Sequence, residues 1–417
     1  MAPTFRRNDT AMTWPQQVGL ILLIILGWLT CTAAVVEKYV PLRPAAFLCF
    51  LGCIFVAIIM TLLRWSYRRG LDIPRWSLVA LFAVLVLSFA FLYPKSLHHD
   101  ELRKGSDRED ALRVELVAVT HNQYPYNART FRNNPPTPLP GALWLASPFF
   151  FLGRIALQNL VWTAAFIVFL CRFFRRRSTV FAFVVLFLLT AFENLQDFVV
   201  GGDYITNFIY ISIAVFLFTH TVERRRIDWL GILSVILLGV ALSSRVIYMV
   251  VLFPLLAFTW QRTSLRRTVI LFAGVLAVAA MATLPVFSPH PISRLLAQLG
   301  QNHDKFQALP AYLPGELLPP IALFIASVSF FVPINLSRIY FISGIATLVM
   351  LLPPMAGIVA AEGGLSRPLN TNIEYLAVSV LFISLWIFSR WEQHLPSPSE
   401  ESLEVGLRGR KMVDSQK

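Results

Sequence analysis

Apolar runs of about 15 to 21 residues recur along almost the whole chain, and each is close to the length of helix that crosses a bilayer. They fall near residues 17–36, 45–63, 76–93, 156–171, 178–196, 204–221, 228–243, 246–260, 268–287, 318–334, 339–360 and 373–389. Backbone N–H and C=O groups cannot stay unpaired in hydrocarbon, so runs of this kind fold as helices. The expected fold is all-α, a polytopic transmembrane helix bundle of about twelve spans. Composition agrees: 56% of the 417 residues are hydrophobic and only 14% charged, against about 25% charged in an ordinary soluble domain. The run after Arg6 and Arg7 is longer than the apolar core of a signal peptide and further spans follow, so it reads as an uncleaved first helix. One transmembrane domain is expected over 1–390, followed by a polar cytoplasmic tail, 391–417, expected to be disordered.

The net charge of +13 would point to nucleic acid in a soluble protein. Here the basic residues sit in short turns between spans, which makes them topology signals, and no nucleic-acid partner is expected. Arg64, Arg68, Arg69 and Arg75, then Arg172 and Arg175 to Arg177, Arg224 to Arg226, Arg262, Arg266 and Arg267, and Arg338 all share one side with both chain ends if the stretch 141–153 does not cross. At about 13 residues, with Pro148 inside, that stretch reaches only about 20 Å of a roughly 30 Å core and reads as a re-entrant or interfacial helix. The positive-inside rule then makes the chain an integral multi-pass protein of the plasma (inner) membrane with both termini cytoplasmic. Cys31, Cys49, Cys53 and Cys171 lie in or beside apolar runs without a Cys-x-x-Cys spacing, so neither a disulfide framework nor a zinc site is expected.

The one long polar insertion, about 94–154, is then extracytoplasmic. Ser106 followed by Glu109 is a capping-box pattern, predicting a helix from Asp107 to about Thr120 with Asp107 and Asp110 on one face of its first turn. Tyr124-Pro125-Tyr126 ends it, and Pro135, Pro136, Pro138 and Pro140 impose a stiff, extended approach to the next apolar segment. A second acidic group follows on the same side: Glu193 and Asp197, four apart, and Asp203 after Gly201-Gly202. A carboxylate at membrane depth costs roughly 2.5 to 3.5 kcal/mol on insertion scales, so it marks a wet cavity; Asp203 is equally placed to N-cap the helix opening at Tyr204. Arg245, after Ser243-Ser244 in a short outer turn, has the fork to meet a phosphate or the stem to snorkel.

This order of features resembles the GT-C superfamily of membrane glycosyltransferases over about 105–207. The shared order is an early first-loop carboxylate, a Pro-Tyr and Pro-rich approach to a short helix ending in Gly, two spans around a basic turn, and a second outer Asp. Members use polyprenyl-phosphate-linked sugars. The resemblance implies a transferase moving such a sugar to a lipid, glycan or protein acceptor, with the first-loop carboxylate on Asp107 or Asp110 and the second on Asp203. The HHDELR stretch also offers Asp100 and Glu101, which resemble the DE-x-R opening of aminoarabinose and mannosyl transferases in that superfamily. Both alignments cannot hold at once.

Such a transfer needs a base near the acceptor oxygen, a cation near the departing phosphate and an isoprenoid groove. Asp107, Asp110 and Asp203 are the candidate catalytic groups; Arg245, Asp100, Glu101, Tyr124, Tyr126 and Trp144 are the candidate substrate contacts, with Trp162 a further stacking platform. His290, Arg294, His303 and Lys305 are additional phosphate candidates. No cofactor is expected; a divalent cation could sit with His98, His99 and a carboxylate, but no ligand motif supports it. The expected partners are the bilayer, the lipid-linked sugar and the acceptor. A transporter or flippase, or a polysaccharide polymerase, is the alternative for a chain with this many spans; it lacks a visible internal repeat and a late arginine-rich loop.

Overall fold

A computed structural model describes residues 13–101, 106–224, 228–289, 291–300, 315–361 and 376–394. Among them the chain is all helical. In order come α1 (Trp14–Thr30), α2 (Ala33–Tyr39), α3 (Leu42–Arg68), α4 (Arg75–Glu101), α5 (Arg108–Thr120), α6 (Pro140–Phe151), α7 (Leu157–Phe173), α8 (Arg177–Val184) and α9 (Phe192–Val199). They are followed by α10 (Tyr204–Arg224), α11 (Trp229–Leu242), α12 (Leu252–Arg262), α13 (Leu265–Phe287), α14 (Ile292–Gly300), α15 (Leu318–Ser327), α16 (Leu336–Ala361) and α17 (Leu376–His394).

Within the described residues each of the twelve apolar runs contains helix, but they are not twelve equal spans. Among the described residues six helices are long and apolar enough to cross a bilayer, or seven if the bent pair Arg177–Leu189 and Phe192–Val199 is one span. The pair bends by 74° where a π turn (Val185–Leu189) meets Thr190 and Ala191, a known source of sharp kinks. Leu157–Phe173, Trp229–Leu242, Val246–Arg262 and Gly315–Phe330 are shorter apolar helices. Broken and shortened helices of this kind account for the shortfall from twelve, and the chain has the build of a multi-pass membrane protein. Its outer helices carry exposed apolar faces, among them Phe47, Phe50, Leu51 and Ile54 on α3 and Val79, Leu87 and Phe91 on α4, a pattern that suits lipid and not water. The helix α10 is the most enclosed of the six and buries Phe208, Ile209, Ile211, Ala214, Val215 and Phe218 at the centre of the core.

Hydrogen bonding defines two distinct ends of the bundle. At one end the Glu392 carboxylate, near the end of α17, accepts from the Tyr67 hydroxyl (2.6 Å) and the N–H groups of Arg175 (2.8 Å) and Arg176 (3.1 Å). Asp72, in the α3–α4 turn, accepts from Arg177 Nε (3.1 Å) and the Ser178 N–H (2.9 Å). The arginine-bearing turns 64–75 and 172–177 thus lie together. At the other end sit α5, α6 and the turns before α10 and after α11.

There two sequence expectations are corrected. The third apolar helix does not stop near residue 93; it continues through Pro94 to Glu101, so the HHDE stretch is helical. The helix α5 starts at Arg108 with Asp107 as its N-cap residue, and no side-chain capping bond forms. Glu109 is drawn instead to tertiary partners, accepting from the Tyr93 hydroxyl (3.0 Å) and the Ala156 N–H (3.1 Å). That makes it a clamp between α4, α5 and the start of α7.

The short helix expected over 141–153 is α6, 140–151, with Pro148 inside. Its first turn has amides with no intrahelical partner, and they meet the carbonyls that follow the C-terminus of α11. The Leu139 N–H donates to Ser244 O (3.0 Å), the Gly141 N–H to Ser243 O (3.2 Å), and further along Trp144 Nε1 donates to Ala282 O (2.8 Å) on α13. An N-terminus set against a C-terminus also aligns the two helix dipoles favourably. The inner face of α6 (Ala142, Leu143, Ala146) packs on Leu112 and Leu116 of α5 and on Ile155, forming a small second core.

This docking requires glycine at 141, because a Cβ there would lie 2.1 Å from the Val240 carbonyl oxygen and 2.4 Å from Ser243 Oγ. Gly141→Ala is therefore expected to lower stability by about 1 to 3 kcal/mol, the usual cost of overpacking against backbone. Gly19→Ala, where a Cβ meets nothing within 4 Å, should be neutral or stabilising. Thermal unfolding of the two variants in detergent checks this; equal melting would contradict the docking.

Candidate functional site

The polar centre of the α5–α6 end is Arg245, placed where α11 has just terminated. One guanidinium nitrogen donates to Asp203 Oδ2 (2.5 Å) and another to Thr137 Oγ1 (2.8 Å) in the proline-rich approach to α6. Asp203, only 4% exposed, also accepts from Asn207 Nδ2 (3.0 Å) one turn into α10, and Asn207 in turn accepts from the Tyr210 hydroxyl.

Asp203 does not spend its carboxylate on capping α10. The Ile205 N–H donates to Asp197 Oδ2 (2.9 Å), so the neighbouring acid takes that role across the Gly201-Gly202 turn. Asp197 comes this close because residue 202 has no side chain; a Cβ there would lie 1.8 Å from Asp197 Oδ1.

The spacing of Glu193 and Asp197 sets both on one cation, Arg108, at the start of α5. Arg108 donates to Asp197 Oδ1 (2.6 Å) and Glu193 Oε1 (3.3 Å), and all three side chains are largely buried. The guanidinium groups of Arg108 and Arg245 lie 4.4 and 5.8 Å from the Tyr204 ring centre, within cation–π range. Tyr204 therefore links the two ion-pair systems.

The buried face of α5 carries a further acidic group. Glu115 is 0% exposed, and neither carboxylate oxygen has a hydrogen-bond partner. The Tyr126 hydroxyl, from the 3₁₀ turn Pro125–Asn127 that packs on α5, is likewise buried without one. Burial pushes the Glu115 carboxyl well above the usual carboxylate range; the nearby Arg245 draws it back down and Asp203 adds to the rise. Burial, then Glu115, then Tyr124 raise the Tyr126 phenol. A carboxyl this enclosed and unpaired holds its proton to higher pH than an exposed one, since an isolated buried charge is costly. The sequence does carry a signal for it: residues 112, 115 and 116 fall on one helical face, and Leu112 and Leu116 are core positions.

The expected site residues divide into several places. Asp107 accepts from Thr130 Oγ1 (2.7 Å) and Asn134 Nδ2 (2.8 Å), and Asp110 from the Phe131 N–H (2.7 Å) and Arg113 (2.6 Å). Both carboxylates tie the 130–134 turn to α5, and neither shares a partner with Asp203. Asp100 and Glu101 end α4, and their side chains, with those of His98 and His99, lie outside the described residues, as do His290, His303 and Lys305 and the tail beyond 394. Trp144 is 48% exposed, with its N–H committed to α13. Trp162 meets the Tyr210 ring at 5.7 Å. Tyr126 stacks on Phe287 (5.4 Å), and Tyr124 meets both rings edge-on. Beside Tyr124 opens a cleft of about 450 Å³ lined by Ala118, Asn122, Gln123, Asn127, Ala128 and Arg294. Ala118 and Asn122 continue the helical face that carries Glu115.

Fold and site together define a multi-pass α-helical membrane protein whose one end bears a two-helix cap over a buried acid–arginine cluster. Comparison with protein families, with curated proteins and with solved structures returns no match.

The raised proton affinity of Glu115 has a consequence for stability. Because its folded value lies above the unfolded one, the folded chain binds the proton more tightly; stability is undiminished below about pH 4.5 and falls as pH rises toward the folded value. Each tenfold excess of proton affinity in the folded chain corresponds to about 1.4 kcal/mol. Glu115→Gln should therefore melt at a temperature equal to or higher than the unmutated protein at pH 8 and show a flatter pH dependence. A variant that melts lower at pH 8 but not at pH 4 would mean that Glu115 is ionised and paired.

Proposed function

We propose that this chain is a membrane glycosyltransferase of the GT-C kind, moving a sugar from a polyprenyl-phosphate donor to a hydroxyl acceptor at the capped end of the bundle. The observation that carries the reading is the nearness of a fixed arginine, Arg245, to a buried carboxyl without a hydrogen-bond partner, Glu115, in a cap built from the first large inter-helix segment. The acceptor oxygen attacks the anomeric carbon as the bond from that carbon to the phosphate oxygen breaks. Polyprenyl phosphate leaves with the bonding electrons, and the acceptor proton passes to a carboxylate.

In this reading Glu115, ionised when the acceptor is bound, takes that proton; it lies on the same face of α5 as the cleft, and a raised proton affinity suits a base that works near neutral pH. Arg245 offers its planar fork to the departing phosphate. Asp203 and Thr137 hold that fork in place, so Asp203 is a positioning residue. Asp107 and Asp110, the first-loop carboxylates expected from the sequence, act by shaping the cap.

The same reading gives the sidedness. Grouping of the arginine turns at the end opposite the cap supports a cytoplasmic location for that end and an extracytoplasmic one for the cap. The full count of about twelve crossings follows if the shortened helices cross with their flanking turns.

The test is release of polyprenyl phosphate from radiolabelled lipid-linked sugars by purified protein in nanodiscs, with acceptor fractions supplied. Glu115→Gln and Arg245→Gln should each lower turnover by about 10² to 10⁴, with Asp107→Asn losing less than about tenfold. Undiminished release in both Glu115→Gln and Arg245→Gln would remove these residues from the chemistry. No release from any lipid-linked sugar would refute the transferase reading.

A further inference from the structure

The cleft beside Tyr124 has a lining whose chemistry is specific. Three carboxamides, Asn122, Gln123 and Asn127, meet there with one aromatic ring and one cation, Arg294. Among the described residues the three carboxamide side chains make no hydrogen bond to the protein, and none of the lining residues is acidic. A carboxamide carries two donors and an acceptor side by side, a set that matches neighbouring hydroxyls of a sugar ring. The guanidinium of Arg294 presents a planar fork that suits a carboxylate or phosphate.

This arrangement is built in advance. The Tyr124 hydroxyl donates to the Arg294 carbonyl (3.1 Å), and the Arg294 guanidinium lies 5.0 Å from the Tyr124 ring centre. Gln298, one turn further along α14, donates to the Pro136 carbonyl (3.3 Å), so α14 is strapped across the proline-rich segment. Behind Tyr124, the stacked pair Tyr126 and Phe287 fixes the cleft wall. Asn122 terminates α5 in the left-handed region, φ 56°, a conformation asparagine tolerates better than most side chains.

We propose that this cleft binds an acidic saccharide, with Arg294 taking its anionic group and the carboxamides its hydroxyls, and that this saccharide is the acceptor of the transfer. Its role as acceptor rests on the transferase reading above; its binding does not. A saccharide seated there lies one to two helical turns from Glu115 along α5.

The experiment uses the full chain in nanodiscs and follows binding of three soluble probes by saturation-transfer NMR and calorimetry: trigalacturonate, neutral maltotriose and glucose 1-phosphate. Trigalacturonate should bind at least about tenfold more tightly than maltotriose, and Arg294→Gln, an exposed position, should abolish that difference. Asn127→Ala should weaken both trisaccharides. Equal affinity for the charged and neutral probes, an unchanged preference in Arg294→Gln, or no binding of any probe would overturn the proposal. Tighter binding of glucose 1-phosphate than of trigalacturonate would make the cleft a donor headgroup site and overturn the acceptor assignment. Preference for the acidic trisaccharide without release of polyprenyl phosphate would count against the transferase reading alone.

Discussion

The capped end depends on where Arg245 can discharge its charge. It emerges at the end of α11 with its side chain largely buried, and two of its partners lie on segments far apart in sequence: Asp203 before α10 and Thr137 before α6. A buried cation left without its carboxylate costs about 3 to 5 kcal/mol, so these segments are held together by more than apolar contact. The same constraint disposes Asp203 toward Arg245 and leaves the first turn of α10 to Asp197. Once Asp197 serves that turn it can also face Arg108, and Arg108 brings the start of α5 down onto α9. Two ion-pair systems, joined through the Tyr204 ring, thereby fix the cap at the start of α5 and at the approach to α6.

This polar framework also explains the glycines at 141 and 202. Each stands where a carboxylate or a helix end approaches backbone more closely than a side chain allows. The apolar contribution at this end is small, since Leu112, Leu116, Ala142, Leu143, Ala146 and Ile155 make only a minor core. Orientation at the cap is therefore set by directional bonds, whereas the bundle below it is held by the large aromatic core around Phe166, Phe183, Phe208 and Phe382. A site that must hold a charged leaving group in one geometry benefits from directional bonds, because a displaced donor stabilises developing charge poorly.

Helix identity was legible in the sequence because hydropathy over a span-length window depends only on local composition; each run contains helix among the described residues. Helix length was less legible. The break at Thr190 and the continuation of α4 through Pro94 depend on tertiary neighbours, such as Trp28 Nε1 donating to Thr190 Oγ1 (3.2 Å). The capping box at Ser106 failed for a related reason: Glu109 gains more from Tyr93 and the Ala156 N–H than from closing a local turn. Arg245 and Asp203 were visible as charges at membrane depth. Glu115 was masked by its place in an amphipathic helix, where a charged residue reads as surface unless the face is traced through Leu112 and Leu116. Arg108, lost among the charges of that segment, gave no sign of the pair four residues apart that awaits it on α9.

If the Arg245–Asp203 pair is the constraint on which the capped end rests, the two side chains must be strongly coupled energetically. The direct measurement is a double-mutant cycle with Asp203→Asn, Arg245→Gln and the combined variant, read by thermal unfolding in detergent. Each single change should be strongly destabilising, because it strands a buried partner, and the double variant should be less unstable than the sum by about 1 to 3 kcal/mol. Additive effects, with no coupling between the two positions, would show that the cap is held by its apolar contacts and would contradict the account.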